Sequence, residues 1–176
     1  MTDLADTRLL NLMAPADHEF FGDFMSSEAL DSLARELSER HEELHFIRGH
    51  DLQVLWKRSG GSKGGRGVLG KCASPSGLTR FYSAKDWVIW LAADQVRAHA
   101  FNAQQTEALL YHEMLHCAVE EQPDRPAKIT TVAHDVEVFN REIERYGLWM
   151  TDLQEVAEVI GQQLRLGLDE AAGAPD

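Results

Sequence analysis

The sequence predicts an α+β fold in which a short three-stranded sheet packs against helices. Apolar residues recur every three or four positions in residues 27–43, and residues 102–121 contain neither Gly nor Pro, so both stretches are predicted helices. Residues 87–92 read Trp-Val-Ile-Trp-Leu-Ala, a run of β-branched and aromatic residues typical of a buried strand. The predicted order is one helix, three strands and three more helices, which indicates an α+β domain.

The chain length of 176 residues fits one domain with a core of its own. We expect that domain to span residues 1–168. Residues 1–25 show no clear period and are predicted to be mostly irregular. Residues 169–176 are small, acidic or proline, and are predicted to form a disordered tail.

The first predicted helix carries an apolar face on helical spacing, formed by Leu30, Leu33, Ala34, Leu37 and Leu44. Residues 45–57 follow as predicted extended structure, with Gly49-His50-Asp51 as a candidate break, and residues 68–73 as a second short strand. Glycine and serine dominate residues 59–67 between them, which predicts a flexible or turn-rich connection. Residues 87–92 form the third predicted strand.

Capping signals mark the later helices. Asn102 is a good N-cap with Gln105 three residues later, as in a capping box, and Pro123 is expected to end that helix. A further helix is predicted from about residue 132 to Gly147, and a last one from Thr151.

Charge and composition exclude several classes of function. The net charge is −12, from 17 Lys and Arg against 29 Asp and Glu, which disfavours nucleic acid and anionic membranes as partners of the whole surface. No apolar run approaches the ~20 residues that span a bilayer. The acidic start, Met-Thr-Asp-Leu-Ala-Asp, does not resemble a signal peptide, and Cys72 and Cys117 are expected to be buried thiols. We therefore expect a cytoplasmic protein.

Residues 112–116 read His-Glu-Met-Leu-His, the H-E-x-x-H pattern, inside the predicted helix 102–121. Side chains four residues apart lie on one helix face, so His112 and His116 can bind one ion. Glu113 can then reach a water bound to the same ion. This is the zincin arrangement, in which two imidazoles hold Zn²⁺ and the glutamate is the general base. The alternative is a pair of core histidines satisfied by hydrogen bonds.

A catalytic zinc usually keeps a third protein ligand. The metzincin spacing would place it at residue 122, but Val119 and Gln122 occupy the Gly and His positions of that pattern, which excludes the class. The next candidates are His134 and Glu137, both away from the apolar stripe of their predicted helix. The residues alone leave these two open, with a solvated face as the alternative. Asp135 is a candidate to orient an imidazole.

The order of these motifs over about residues 45–149 resembles a known family. The segments are a Gly-rich stretch, Trp87-Val88-Ile89-Trp90, the H-E-x-x-H helix, His134-Asp135-Val136-Glu137-Val138-Phe139 and Arg145-Tyr146-Gly147-Leu148-Trp149. They resemble the small SprT-like zinc metallopeptidases, and above all the putative phage metallopeptidase family of phages and prophages. Asp135 stands where the SprT pattern has glycine. The resemblance implies a minimal zincin with His112, His116 and His134 on zinc and Glu113 as base.

Two further features have competing interpretations. Tyr146 lies on the apolar stripe of its predicted helix, where it either packs in the core or aims its phenol at the oxyanion as a second catalytic candidate. A basic segment over residues 57–71 is interpreted as a solvated loop, with a contact to nucleic acid or an acidic partner as the alternative; its charges are Lys57, Arg58, Lys63, Arg66 and Lys71.

Two functions of different classes follow. The first is a zinc metallopeptidase that hydrolyses protein or peptide substrates, with the strand 87–92 as a sheet edge along which an extended peptide binds. The second is a non-catalytic zincin-like phage or prophage protein that acts as a binding or regulatory module. Glu113 favours the first, because a structural zinc site has no need of a general base.

Overall fold

The computed structural model describes residues 12–134 and 151–172. Two compact units make up the chain, residues 1–132 and residues 133–176. The first unit contains a four-stranded sheet in the order β1-β2-β6-β5 and two small hairpins, β3-β4 and β7-β8. Their bounds are β1 Phe24–Ser26, β2 Leu52–Lys57, β3 Ser62–Lys63, β4 Arg66–Gly67, β5 Gly70–Ala73, β6 Trp87–Ala92, β7 Cys117–Glu120 and β8 Lys128–Thr131. The strands β2 and β6 run parallel, and every other pair is antiparallel.

The predicted α+β class is confirmed, and the three predicted strands occur as β2, β5 and β6. A fourth strand, β1, lies in the segment predicted to be irregular. The prediction of extended structure is wrong for residues 45–49, because Glu42–Gly49 is a 3₁₀ helix that buries Leu44 and Ile47. These two residues are three apart, which matches the three-residue turn of a 3₁₀ helix. In the Gly-rich connection, Gly64 and Gly65 take positive φ between β3 and β4.

Five α-helices lie in the described residues: α1 Glu28–Arg40, α2 Gly77–Ser83, α3 Ala93–Ala98, α4 Ala103–Leu115 and α5 Thr151–Ala172. The helix α1 begins where the hydroxyl of Ser27 accepts a hydrogen bond from the N–H of Leu30, and it buries Leu30, Leu33 and Leu37. Burying each leucine stabilises the fold by about 1.5–3 kcal/mol, so this face holds α1 to the sheet.

The helix α4 begins with the predicted capping box. The Asn102 side chain accepts from the N–H of Gln105, and the Gln105 side chain accepts from the N–H of Asn102, each at 2.9 Å. Its predicted end is wrong, since the helix stops at Leu115 and residues 117–120 form β7. There the backbone pairs with β8 and brings Val119 opposite Ile129, and both pack against the core. The gain in sheet pairing outweighs helix propensity at this point.

The strand β6 is an inner strand, between β2 and β5. Its Trp87, Ile89 and Leu91 side chains are fully buried. The prediction that residues 87–92 form a substrate-binding sheet edge is therefore wrong. The continuous apolar run is explained by burial on an inner strand, and the strand at the end of the sheet beside α4 is β5.

In the second unit, α5 begins at the predicted Thr151 and continues to Ala172, past residue 168. The helix predicted from about residue 132 to Gly147 falls largely outside the described residues. The bounds of a single domain over 1–168 stay a prediction. Within the described residues, none of the helices is both long and apolar enough to cross a membrane.

Candidate metal centre

The two histidines of the H-E-x-x-H motif lie side by side at the end of α4. His112 is in the last turn, and His116 is the C-cap residue with helical φ −74° and ψ −17°. The helical backbone therefore persists to His116, and the four-residue spacing keeps both rings on one face. Their ring centroids are 5.2 Å apart.

The ring of His116 is oriented by the chain that follows β8. Its Nδ1 atom lies 2.7 Å from the carbonyl oxygen of Val132, and the Val132 N–H donates to the carbonyl oxygen of His116 at 2.9 Å. A carbonyl oxygen only accepts hydrogen bonds, so Nδ1 is the protonated nitrogen. Nε2 is then the ring nitrogen with a lone pair, as in the tautomer that backbone carbonyls commonly select in metal-binding histidines.

His134 completes a cluster of three imidazoles. One ring nitrogen from each of His112, His116 and His134 lies within 4.8 Å of the other two. His112 and His134 are exposed and His116 is half-buried. This histidine cluster could hold a metal ion.

Glu113 lies against β5, and its side chain is buried, with 5% of its surface exposed. Burial raises the pKa of the Glu113 carboxyl above its usual range. The nearby charge of His116 and a hydrogen bond from the backbone N–H of Cys72 act in the opposite direction. The motif thus combines two accessible imidazoles with one buried carboxyl group.

The sequence model of a known family matches residues 22–161. This range is most of the chain and includes every residue of the histidine cluster. The chain belongs to the putative phage metallopeptidase family. Membership supports a peptidase role that depends on a metal ion. No curated protein and no solved structure matches the chain. The finer likeness to SprT-like peptidases stays a prediction.

The remaining residues that the sequence singled out lie elsewhere in the chain. Tyr146, Asp135 and Glu137 lie outside the described residues. Cys72 and Cys117 are buried as predicted, and their Sγ atoms are 3.6 Å apart. The hydrogen bond between the two thiols and their burial raise the pKa of Cys117.

The basic segment 57–71 is partly engaged with its own chain. The ammonium group of Lys57 lies 4.4 Å from the centroid of the Trp90 ring, and Arg58 donates to the Asp17 carboxylate at 2.8 Å. These contacts account for two of its five charges. Two surface charges held in this way agree with a solvated segment, and the choice between a solvated loop and a contact to nucleic acid or an acidic partner stays a prediction.

Sequence reasoning missed the part of β5 that touches Glu113. Gly70 and the backbone N–H of Cys72 both contact its side chain. A signal was available, because a glycine inside a strand often marks a close approach by another group. Gly70 falls within the second predicted strand, residues 68–73, but its partner Glu113 lies far away along the chain.

Proposed function

We propose that the protein is a zinc-dependent peptidase in which His112, His116 and His134 hold the ion and Glu113 is the general base. Family membership and the histidine cluster support a metal-dependent peptidase role. The choice of zinc, the assignment of the ligands and the role of Glu113 are the proposed steps.

The donor set fits zinc. Three neutral imidazoles are nitrogen ligands of the kind that zinc accepts, and they leave a fourth, open position as catalytic sites do. Two nitrogens bound to one zinc at ~2.1 Å are at most ~4.2 Å apart. The ring nitrogens, all within 4.8 Å of one another, would close on the ion through small side-chain rotations.

A zinc ion held there would supply Lewis-acid chemistry, polarising the scissile carbonyl and lowering the pKa of a water. Glu113 would accept the proton of the attacking water on a carboxylate oxygen and deliver it to the leaving amine. The burial of Glu113 between α4 and β5 excludes bulk water from the carboxylate and restricts its orientation.

The observation that carries the proposal is the buried Glu113 beside an accessible histidine cluster. A structural zinc site is closed by four protein ligands and needs no acid or base. Within the described residues the cluster has three members, and two of them are exposed. Burying a carboxyl group costs free energy, and buried titratable groups of this kind are concentrated at functional sites.

The test combines metal content with cleavage of dye-labelled casein as an unfolded protein substrate. The wild-type chain should carry about one zinc, and His112→Ala or His116→Ala should abolish binding. Glu113→Gln should keep zinc and the fold but lower kcat by about 10²- to 10⁴-fold, since the amide cannot accept the proton. Glu120→Gln is the matched control, because Glu120 is exposed and forms a surface ion pair with Lys128.

Casein cleavage by Glu113→Gln at the wild-type rate would remove Glu113 from the base role. A wild-type chain that binds zinc but leaves casein intact would favour the zincin-like binding module instead. Full zinc retention in both histidine variants would end the assignment of the metal site.

A further inference from the structure

Gly70 comes unusually close to the side chain of Glu113. A Cβ atom built on Gly70 would lie 2.7 Å from Oε1 of Glu113, and 3.0 Å from both its Cδ and its Cγ. These are the three nearest atoms, and all belong to the same side chain. Carbon atoms do not normally approach so closely, so any side chain at position 70 would have to displace Glu113.

The backbone of β5 also faces the carboxyl group of Glu113. The N–H of Ala92 donates to the carbonyl oxygen of Leu69 at 2.7 Å, and Gly70 lies opposite Leu91. Hydrogen-bonding directions alternate along an antiparallel strand, so the backbone groups of Gly70 and Cys72 point away from β6. The hydrogen bond from the Cys72 N–H to the Glu113 carboxyl agrees with this direction.

Position 70 therefore provides space and position 72 provides a donor, two residues apart on one edge. The Glu113 side chain is long, and it has several rotamers when it is free to move. Enclosed between α4 and β5, with only 5% of its surface exposed, it keeps the one in which its carboxyl lies against this edge. Glu113 directly follows His112 on α4, so its side chain leaves the helix next to a member of the histidine cluster.

We propose that Gly70 is a positioning residue for Glu113: its missing side chain leaves the space against β5 that the Glu113 carboxyl group occupies. This inference rests on the proposed role of Glu113 as general base. It gives a role in catalysis to a strand glycine that is neither a proposed zinc ligand nor the proposed base. It also predicts that even alanine at position 70 impairs catalysis.

The first test is a double-mutant cycle on thermal stability with the full chain. Gly70→Ala should lower the Tm by several degrees when Glu113 is present, and by little or nothing in the Glu113→Ala background. Gly49→Ala is the matched control, because a Cβ there meets nothing within 4 Å. Should Gly70→Ala alone not fold, recovery of folding in the double variant would show the same coupling. Equal losses in both backgrounds would overturn the inference.

The second test separates kcat from KM on dye-labelled casein. Gly70→Ala should keep its zinc and nearly the wild-type KM, but lose about 10- to 100-fold in kcat, since a displacement of ~1 Å can cost ~10²-fold. Gly49→Ala should cleave like the wild type. A merely structural role would lower the amount of folded enzyme without this selective loss of kcat.

The two proposals fail in different ways. Wild-type kcat in Gly70→Ala together with an inactive Glu113→Gln would overturn the positioning role and leave the proposed function intact. Wild-type activity in Glu113→Gln would overturn the proposed function, whatever the stability cycle shows.

Discussion

The indole Nε1 of Trp87 donates a 2.8 Å hydrogen bond to the carbonyl oxygen of Thr130. The first residue of the inner strand β6 is thereby joined to β8. Val132, two residues after Thr130, provides the carbonyl group that orients His116. Trp87 thus supports the segment that sets the direction of a proposed zinc ligand.

We predict that Trp87→Phe lowers the free energy of unfolding by about 1–3 kcal/mol, because it removes the hydrogen bond to the Thr130 carbonyl and part of a fully buried ring. Zinc affinity should fall by less than ~10-fold, since Trp87 acts only through the β8 segment. Urea unfolding and zinc titration measure the two effects. Trp90→Phe on the same strand is the control, because Trp90 is only half-buried. Equal stability losses in both variants would contradict the special role of the Trp87 indole.

Asp86 is a hydrogen-bonding centre at the start of β6. One of its carboxylate oxygens lies 3.1 Å from the N–H of Asp51 and 3.1 Å from Nδ1 of His50, and the other accepts from Arg80. Burial by itself raises the pKa of the Asp86 carboxyl. The hydrogen bonds from Asp51 and His50 and the charge of Arg80 outweigh burial, so the net pKa lies below its usual value.

A lowered pKa in the folded state means that the ionised Asp86 stabilises the protein at neutral pH. This contribution is complete above the unfolded pKa of about 3.9 and is lost as the pH falls through the lower folded value. Asp86→Asn should therefore cost about 1–3 kcal/mol at pH 7, and progressively less below about pH 4. Urea unfolding across this range checks it, with Asp124→Asn in an exposed turn as the control. A loss that does not change with pH would contradict the ionic origin.

The thiols of Cys72 and Cys117 should resist alkylation in the folded protein. Both are buried, and the pKa of Cys117 is raised by its hydrogen bond with Cys72 and by burial, so little thiolate forms. Iodoacetamide at pH 8 should add no mass to the native chain and two adducts after unfolding in urea, as read by intact mass spectrometry. Ser62→Cys, at an exposed position of the β3-β4 hairpin, should react in the native state and shows that the reagent is active. Rapid native labelling of Cys72 or Cys117 would contradict their enclosure.

Local patterns in the sequence predicted the features that depend on neighbouring residues. The capping box of Asn102 and Gln105 and the apolar face of α1 are confirmed because each involves residues within a few positions of one another. The shared face of His112 and His116 follows from helical geometry in the same way.

Features that depend on distant contacts were predicted less well. The end of α4 at Leu115 is decided by pairing between β7 and β8, which helix propensity does not describe. The inner place of β6 in the sheet and the approach of Gly70 to Glu113 depend on how strands are ordered. An apolar run such as residues 87–92 indicates burial, but it does not reveal which strands lie on either side.

The identity of the third ligand gives the sharpest remaining prediction. We expect His134→Ala to lower zinc affinity by more than ~100-fold, since losing even an outer partner of a ligand costs ~10–100-fold. Its ring nitrogen lies within 4.8 Å of those of His112 and His116. Glu137→Ala should change the affinity only a few-fold. The longer Glu137 side chain would cost more entropy to fix, and a carboxylate ligand would cancel part of the zinc charge and leave the bound water less acidic. His99→Ala, at an exposed position, is the control. Zinc titration decides between them: loss of the metal in Glu137→Ala and its retention in His134→Ala would establish a glutamate as the third ligand.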